Sequence, residues 1–136
     1  MKRIIWMVLV GLLLTACGSR PASSEQSETG TLAPVPAEYA GKTNPLGADA
    51  AGEGAKIFET NCQMCHGPQG HGDGPAGGSL DPRPKNLAVL QESAGDDYLF
   101  WRIHEGKQGT AMVAWKGVLT DEQIWAVVSF IRTLKE

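Results

Sequence analysis

The chain is predicted to fold as an all-α domain of three to five helices, and three observations carry that reading. Apolar residues recur at helical spacing near the C-terminus, at Ile124, Val127, Val128 and Ile131. Thr120 stands before that run with Gln123 three positions later, the pattern of a capping box. No segment alternates apolar and polar residues convincingly enough to be a strand.

The elements follow in chain order. Lys2 and Arg3 precede eleven predominantly apolar residues, Ile4 to Leu14. That run suits the core of an export signal and is well short of the roughly 20 residues needed to span a bilayer. Leu14-Thr15-Ala16-Cys17 then resembles a bacterial lipobox, so residues 1–16 are expected to be a lipoprotein signal peptide and Cys17 the acylated N-terminus of the mature chain. Acyl chains there would hold the protein on a membrane. Twenty of the thirty-one residues from Gly18 to Ala48 are Gly, Ala, Pro, Ser or Thr, and large apolar side chains are scarce. Residues 17–48 are therefore expected to be a flexible lipidated tether reaching roughly 30 Å. The folded domain is expected to cover residues 49–136.

Within that domain, Ala50 to Cys62 reads as the first helix, with Ala55, Ile57 and Phe58 inward and Cys62 to His66 as its last turn. Gly67 to Pro84 is dense in Gly and Pro and reads as a wrapping loop. A short helix begins near Asn86. Another spans Asp96 to Glu105, with Leu99, Phe100 and Ile103 inward and Gly106 as its C′ glycine. The capped helix after Thr120 closes the chain.

Composition narrows the function classes. The 136 residues carry a formal charge of −3, and loss of residues 1–16 removes Lys2 and Arg3 and leaves −5. No basic stripe interleaved with aromatics appears, so nucleic acid is not an expected partner. An acidic surface instead suits basic patches on another protein. Three cysteines are an odd number, and Cys17 accounts for one.

The other two lie in Cys62-Gln63-Met64-Cys65-His66, a CxxCH sequence of the kind that attaches c-type haem. Cysteines three apart on a helical turn project from one face, so both sulfurs can bond the two vinyl groups along one haem edge. His66 follows at once as the proximal iron ligand. A thioredoxin-like pair needs a preceding strand and a βαβ pattern, which are missing. Structural zinc needs four ligands, and no second CxxC exists. A disulfide inside CxxC would staple almost nothing. The second axial ligand is expected to be Met112, because Met1 and Met7 lie in the signal and Met64 sits inside the attachment turn. A methionine thioether favours ferrous iron and raises the reduction potential. His71 and His104 are the alternatives, and would make a bis-His site; otherwise His104 is a partly exposed helix residue near Glu105 and His71 a solvated loop residue.

Taken together, residues 49–136 resemble the class I cytochrome c family, with a helix leading into CxxCH, a Gly/Pro loop, a methionine 46 positions after the histidine and a final helix. The segment Tyr98 to Ile103 is similar to that of small bacterial members. The resemblance implies one covalently bound haem c within the helices, and a close crossing of first and last helices through Gly54 and Phe58 against Val127 and Phe130. It also implies that a loop proline carbonyl, here assigned to Pro75, accepts from the proximal His66. The residue after the methionine is often proline in such proteins and is Val113 here, which frees an N–H and a φ angle. Two roles stay open for Trp115, an indole hydrogen bond to a haem propionate or an apolar lid over the haem edge.

The resemblance implies a non-enzymatic single-electron carrier on the extracytoplasmic face of a bacterial membrane. It would serve a respiratory oxidase, a quinol-oxidising complex or a periplasmic dehydrogenase, with no small-molecule substrate. Two other classes stand beside it. One is a haem peroxidase or gas sensor with an open sixth position; the other is a fixed cytochrome subunit of a larger complex.

Overall fold

The computed structural model describes residues 31–136 of the chain. The expected signal peptide, Cys17 and the first part of the tether lie outside the described residues.

Five α-helices follow one another: α1 (Ala51–Asn61), α2 (Gln63–His66), α3 (Leu87–Ser93), α4 (Asp96–Glu105) and α5 (Asp121–Ile131). Among the described residues there is no strand, and the one isolated bridge joins Lys116 to Leu119. No helix among them is long and apolar enough to cross a membrane.

Helix α5 is the centre of the molecule. Ile124, Trp125, Ala126, Val127, Val128, Ser129 and Ile131 are all buried, so it is enclosed on most sides rather than on one stripe. Its start is fixed as expected: the Gln123 N–H donates to the Thr120 hydroxyl at 3.2 Å, and the Gln123 side chain accepts from the Thr120 N–H at 2.9 Å. Helix α1 crosses α5 at Gly54, where the missing side chain lets the backbone settle on Ala126 and Phe130. Ala126 therefore stands where the resemblance pointed to Val127. Val127 is buried, and Phe58 meets Phe130 with ring centroids 5.0 Å apart. In α1, Ile57 and Phe58 are buried and Ala55 is half-buried.

Helix α4 keeps the expected face, with Leu99, Phe100 and Ile103 buried, and Phe100 stacks on Trp125 of α5 at 4.2 Å. Asn86 caps α3, its side-chain oxygen accepting from the Ala88 and Val89 N–H groups. Arg132, just past α5, binds Asp96 through Nε at 2.9 Å and Nη2 at 2.6 Å. It also donates to the Ala94 carbonyl at 2.8 Å and to the Gln91 carbonyl. One guanidinium thus joins the end of α5 to the α3–α4 junction.

The boundary of the folded body differs from the expected Asp49. One compact unit runs from Leu32 to Glu136, and the stretch from Val35 to Gly47 lies on it as a strap. Tyr39 is buried against Phe100 and His104. The Asn44 amide donates to the Trp125 carbonyl at 3.1 Å and to the Ser129 hydroxyl at 2.8 Å, and Ser129 donates to the Gly47 carbonyl at 2.7 Å. The Gly41 and Asn44 N–H groups donate to Asp97 and Asp96. The composition that suggested a tether is compatible with order because a few specific groups fasten it. One aromatic ring and one amide offset the ordering entropy of a segment otherwise poor in apolar surface.

Candidate haem site

Helix α1 delivers the CxxCH motif, but not as its own last turn. Cys62 has φ −117°, which interrupts the helix, and Gln63–His66 then form a separate turn ended by Gly67 at φ +76°. Inside it the His66 N–H donates to the Cys62 carbonyl at 2.9 Å and the Cys65 N–H to the same oxygen at 3.1 Å. Cys62 and Cys65 are both half-buried and are not bridged to each other by a disulfide. Before haem attachment, burial first and the neighbouring Cys65 second push the Cys62 thiol up to about 12.

The Gly/Pro loop folds back over this turn and covers its carbonyls. The Gly72 N–H donates to the His66 oxygen at 2.8 Å, the Gly74 N–H to Cys65 at 3.2 Å and the Ala76 N–H to Met64 at 2.9 Å. A Cβ on Gly74 would stand 2.5 Å from both the Gln63 and Met64 oxygens, so only glycine permits that approach. The loop's glycines serve close packing as well as turning, and this is what holds the two thiols and the imidazole on one rigid turn.

His66 packs beside Phe58, with ring centroids 6.4 Å apart. Its Nδ1 meets the Lys85 carbonyl at 3.3 Å. This corrects the assignment of Pro75: the carbonyl on the proximal histidine comes from the far end of the loop, while exposed Pro75 lies between the residues bonded to the attachment turn. Desolvation lowers the His66 pKa, with the Lys85 carbonyl acting in the opposite sense. Burial thus favours the neutral imidazole that ligates metal, and a bonded Nδ1–H leaves Nε2 as the free donor atom.

Met112 is half-buried and packs on the hydrophobic core. Its loop is closed at the base: the Lys107 N–H donates to the Met112 carbonyl at 2.9 Å, and the Trp115 and Lys116 N–H groups donate to the Ile103 and His104 carbonyls, each at 3.1 Å. Gly106 occupies the expected helix end at φ +69°, pressed against the Met112 oxygen. Val113 is 62% exposed, as is Met64. Trp115 is half-buried on the core. His71 reaches the Lys135 carbonyl at 3.4 Å, so it is tied to the C-terminal tail rather than simply solvated. His104 lies 3.1 Å from Glu105, beside that residue as its sequence position implied.

The donor set fits a covalently held haem: two thiols and an imidazole on one turn, and a methionine on a loop of fixed base. Arg102 adds an observation of its own. Its Nε is buried with no hydrogen-bond partner, its guanidinium lies over the Trp101 ring with Cζ 3.7 Å from the centroid, and the residue forms part of the wall of one cleft with Trp101, Thr110 and Met112. The sequence offered no sign of that placement. The Lys85 carbonyl was equally invisible, because a backbone acceptor is independent of residue type.

The family model described as cytochrome c oxidase, cbb3-type, subunit III matches residues 49–131, well over half of the chain. The chain belongs to the c-type cytochromes. Among similar proteins, cytochrome c6 of Thermosynechococcus vestitus is 34% identical to this cytochrome over 90 residues, covering 63% of this chain and 70% of that protein. Cytochrome c6 of Synechococcus elongatus is 34% identical over 88 residues, or 62% and 88% of the two chains. The solved c-type cytochrome KustC0563 aligns with a TM-score of 0.51 at 28% identity, over 61% of this cytochrome and 98% of that structure. A Kuenenia stuttgartiensis reducing HAO-like protein complex, Kustc0457/Kustc0458, shares the fold at TM-score 0.58 and 23% identity. The alignment covers 65% of this cytochrome and 44% of the solved chain. With one CxxCH in its sequence, this is a monohaem electron-transfer cytochrome carrying covalent haem c.

Proposed function

We propose that this cytochrome shuttles single electrons as a lipid-anchored carrier, with His66 and Met112 as the axial iron ligands. The observation that carries the reading is the CxxCH turn itself, capped by its own loop and backed by the core, with Met112 on a separate loop of fixed base. The bound haem supplies a one-electron couple; the protein supplies a rigid frame that changes little between oxidation states. Met64, between the attachment cysteines, and Val113, next to Met112, are both exposed apolar side chains of the sort that suits brief redox encounters. An oxidase, a quinol-oxidising complex or a dehydrogenase is the class of partner, met on the outer side of a membrane to which Cys17 is acylated after removal of residues 1–16.

The test is spectroscopic. A pyridine haemochrome assay on the exported protein should give the signature of haem held by two thioethers. The ferric form should carry the weak far-red methionine–iron band, lose it in Met112→Ala, and bind cyanide slowly only while that band is present. A wild-type protein without the band that binds cyanide or CO at once has an open sixth position and is no simple carrier.

A second reading is a fixed subunit, favoured by the matched family's description as an oxidase subunit. Stable co-purification with other subunits after mild detergent extraction would select it; release as a single chain would select the shuttle.

A further inference from the structure

We propose that Tyr39, on the N-terminal strap, is a positioning residue for the methionine loop, acting through Glu105 as a clamp across the loop's base. The inference rests on the reading of Met112 as an axial ligand. The loop from Gly106 to Trp115 leaves α4 and returns beside it, tied by the Trp115 and Lys116 N–H groups to the Ile103 and His104 carbonyls. Glu105 stands at that exit. One of its carboxylate oxygens takes the Lys116 ammonium at 2.5 Å, from the returning strand of the loop. The other accepts the Tyr39 hydroxyl at 2.5 Å, from 66 positions earlier in the chain.

With the tyrosine proton committed to Glu105, His104 Nδ1 carries a hydrogen and faces the tyrosine oxygen at 3.0 Å and Glu105 at 3.1 Å. Its Nε2 lies 3.7 Å from Asp121, at the start of α5. The five side chains Tyr39, His104, Glu105, Lys116 and Asp121 therefore join strap, α4, loop return and α5 at one point. The Tyr39 ring is buried against Phe100 and His104, which aims its hydroxyl at Glu105. The bonds from Lys116 and Tyr39 hold the Glu105 carboxyl down at about 2, and burial with that same contact raises the Tyr39 hydroxyl to about 12. Anionic acceptor and neutral donor thus persist across the working pH range. Loosening the clamp frees the loop to swing Met112 out while leaving the core intact.

The experiment uses the ferric holoprotein and measures the rate of cyanide binding, which requires methionine to leave iron. Tyr39→Phe keeps the buried ring and removes only the hydroxyl. It is expected to raise the rate roughly ten- to hundredfold, as loss of one hydrogen bond to a charged acceptor implies, and to weaken the far-red band. Glu105→Gln should act in the same direction. Asn44→Ala detaches the strap elsewhere and should lower the melting temperature without changing the cyanide rate. A wild-type rate in both Tyr39→Phe and Glu105→Gln, with the band intact, overturns the clamp and leaves methionine ligation standing. An equal acceleration in Asn44→Ala also overturns it, since the strap would then act only through overall stability. Absence of the band in the wild type overturns the ligation itself and the clamp with it.

Discussion

Gly54 of α1 rests on the Ala126 carbonyl of α5 so closely that a Cβ added to the glycine would stand 1.9 Å from that oxygen and 3.0 Å from the Phe130 Cβ. Both helices present backbone at the crossing, which brings their flanking aromatics, Phe58 and Phe130, into contact. Gly54→Ala is therefore expected to destabilise the holoprotein by about 3 kcal/mol or to prevent its recovery, because backbone rather than a flexible side chain must yield. Gly52 lies on the same helix with open space around it. Gly52→Ala should stabilise by roughly 0.5–1 kcal/mol from helix propensity alone. Chemical unfolding of the two variants measures the contrast, and similar effects would contradict this packing.

Arg132 and Asp96 predict a pH dependence. Burial works to raise the Asp96 carboxyl, but the Asn44 N–H and the Arg132 guanidinium outweigh it and bring the pKa below its ordinary 3.8. A carboxyl depressed in the folded state contributes stability that is complete above the unfolded value and disappears as pH falls through the folded one. Melting should thus decline below about pH 4 partly through Asp96. Arg132→Met should cost about 1–2 kcal/mol at neutral pH, a modest figure because both partners are partly exposed. The same variant should flatten the acid decline. An unchanged acid limb would remove Asp96 from the account.

The strap makes a truncation test sharp. Removing residues 18–31 from the exported protein should leave its melting temperature close to that of the full chain. Removing residues 32–47 deletes Tyr39 and Asn44 and exposes the Phe100 and Trp125 surface beneath them. That loss should lower stability by roughly 2–4 kcal/mol, the range for one large buried aromatic and its neighbours. Equal effects of the two deletions would argue against an ordered strap.

Membrane attachment is predicted to depend on one atom. Cys17→Ala should move the cytochrome from the membrane fraction to the soluble one without altering its haem spectrum. Continued sedimentation with membranes after that change would rule out the acyl anchor. If residues 18–31 act as the tether expected from composition, random-coil scaling gives them a reach of roughly 20 Å. Lengthening that segment with Gly and Ser should then alter the rate of electron delivery to a membrane-bound partner more than it alters stability.

Local chemistry alone was enough to establish the haem motif, the α5 capping box, the buried face of α4 and the glycine that ends it. Each is set by side chains within a few positions of one another, and covalent spacing or helical period decides them whatever the rest of the chain does. Tertiary packing decided what joins distant segments. The Lys85 carbonyl reached His66 in place of Pro75 because a backbone acceptor is chosen by loop path, which composition does not encode. The strap's attachment and the Arg132 junction arose likewise from groups tens of positions apart meeting on the same core. A segment with few apolar residues reads as loose from its composition, yet one buried ring and one doubly bonded amide suffice to order it once α4 and α5 have built the surface that receives them.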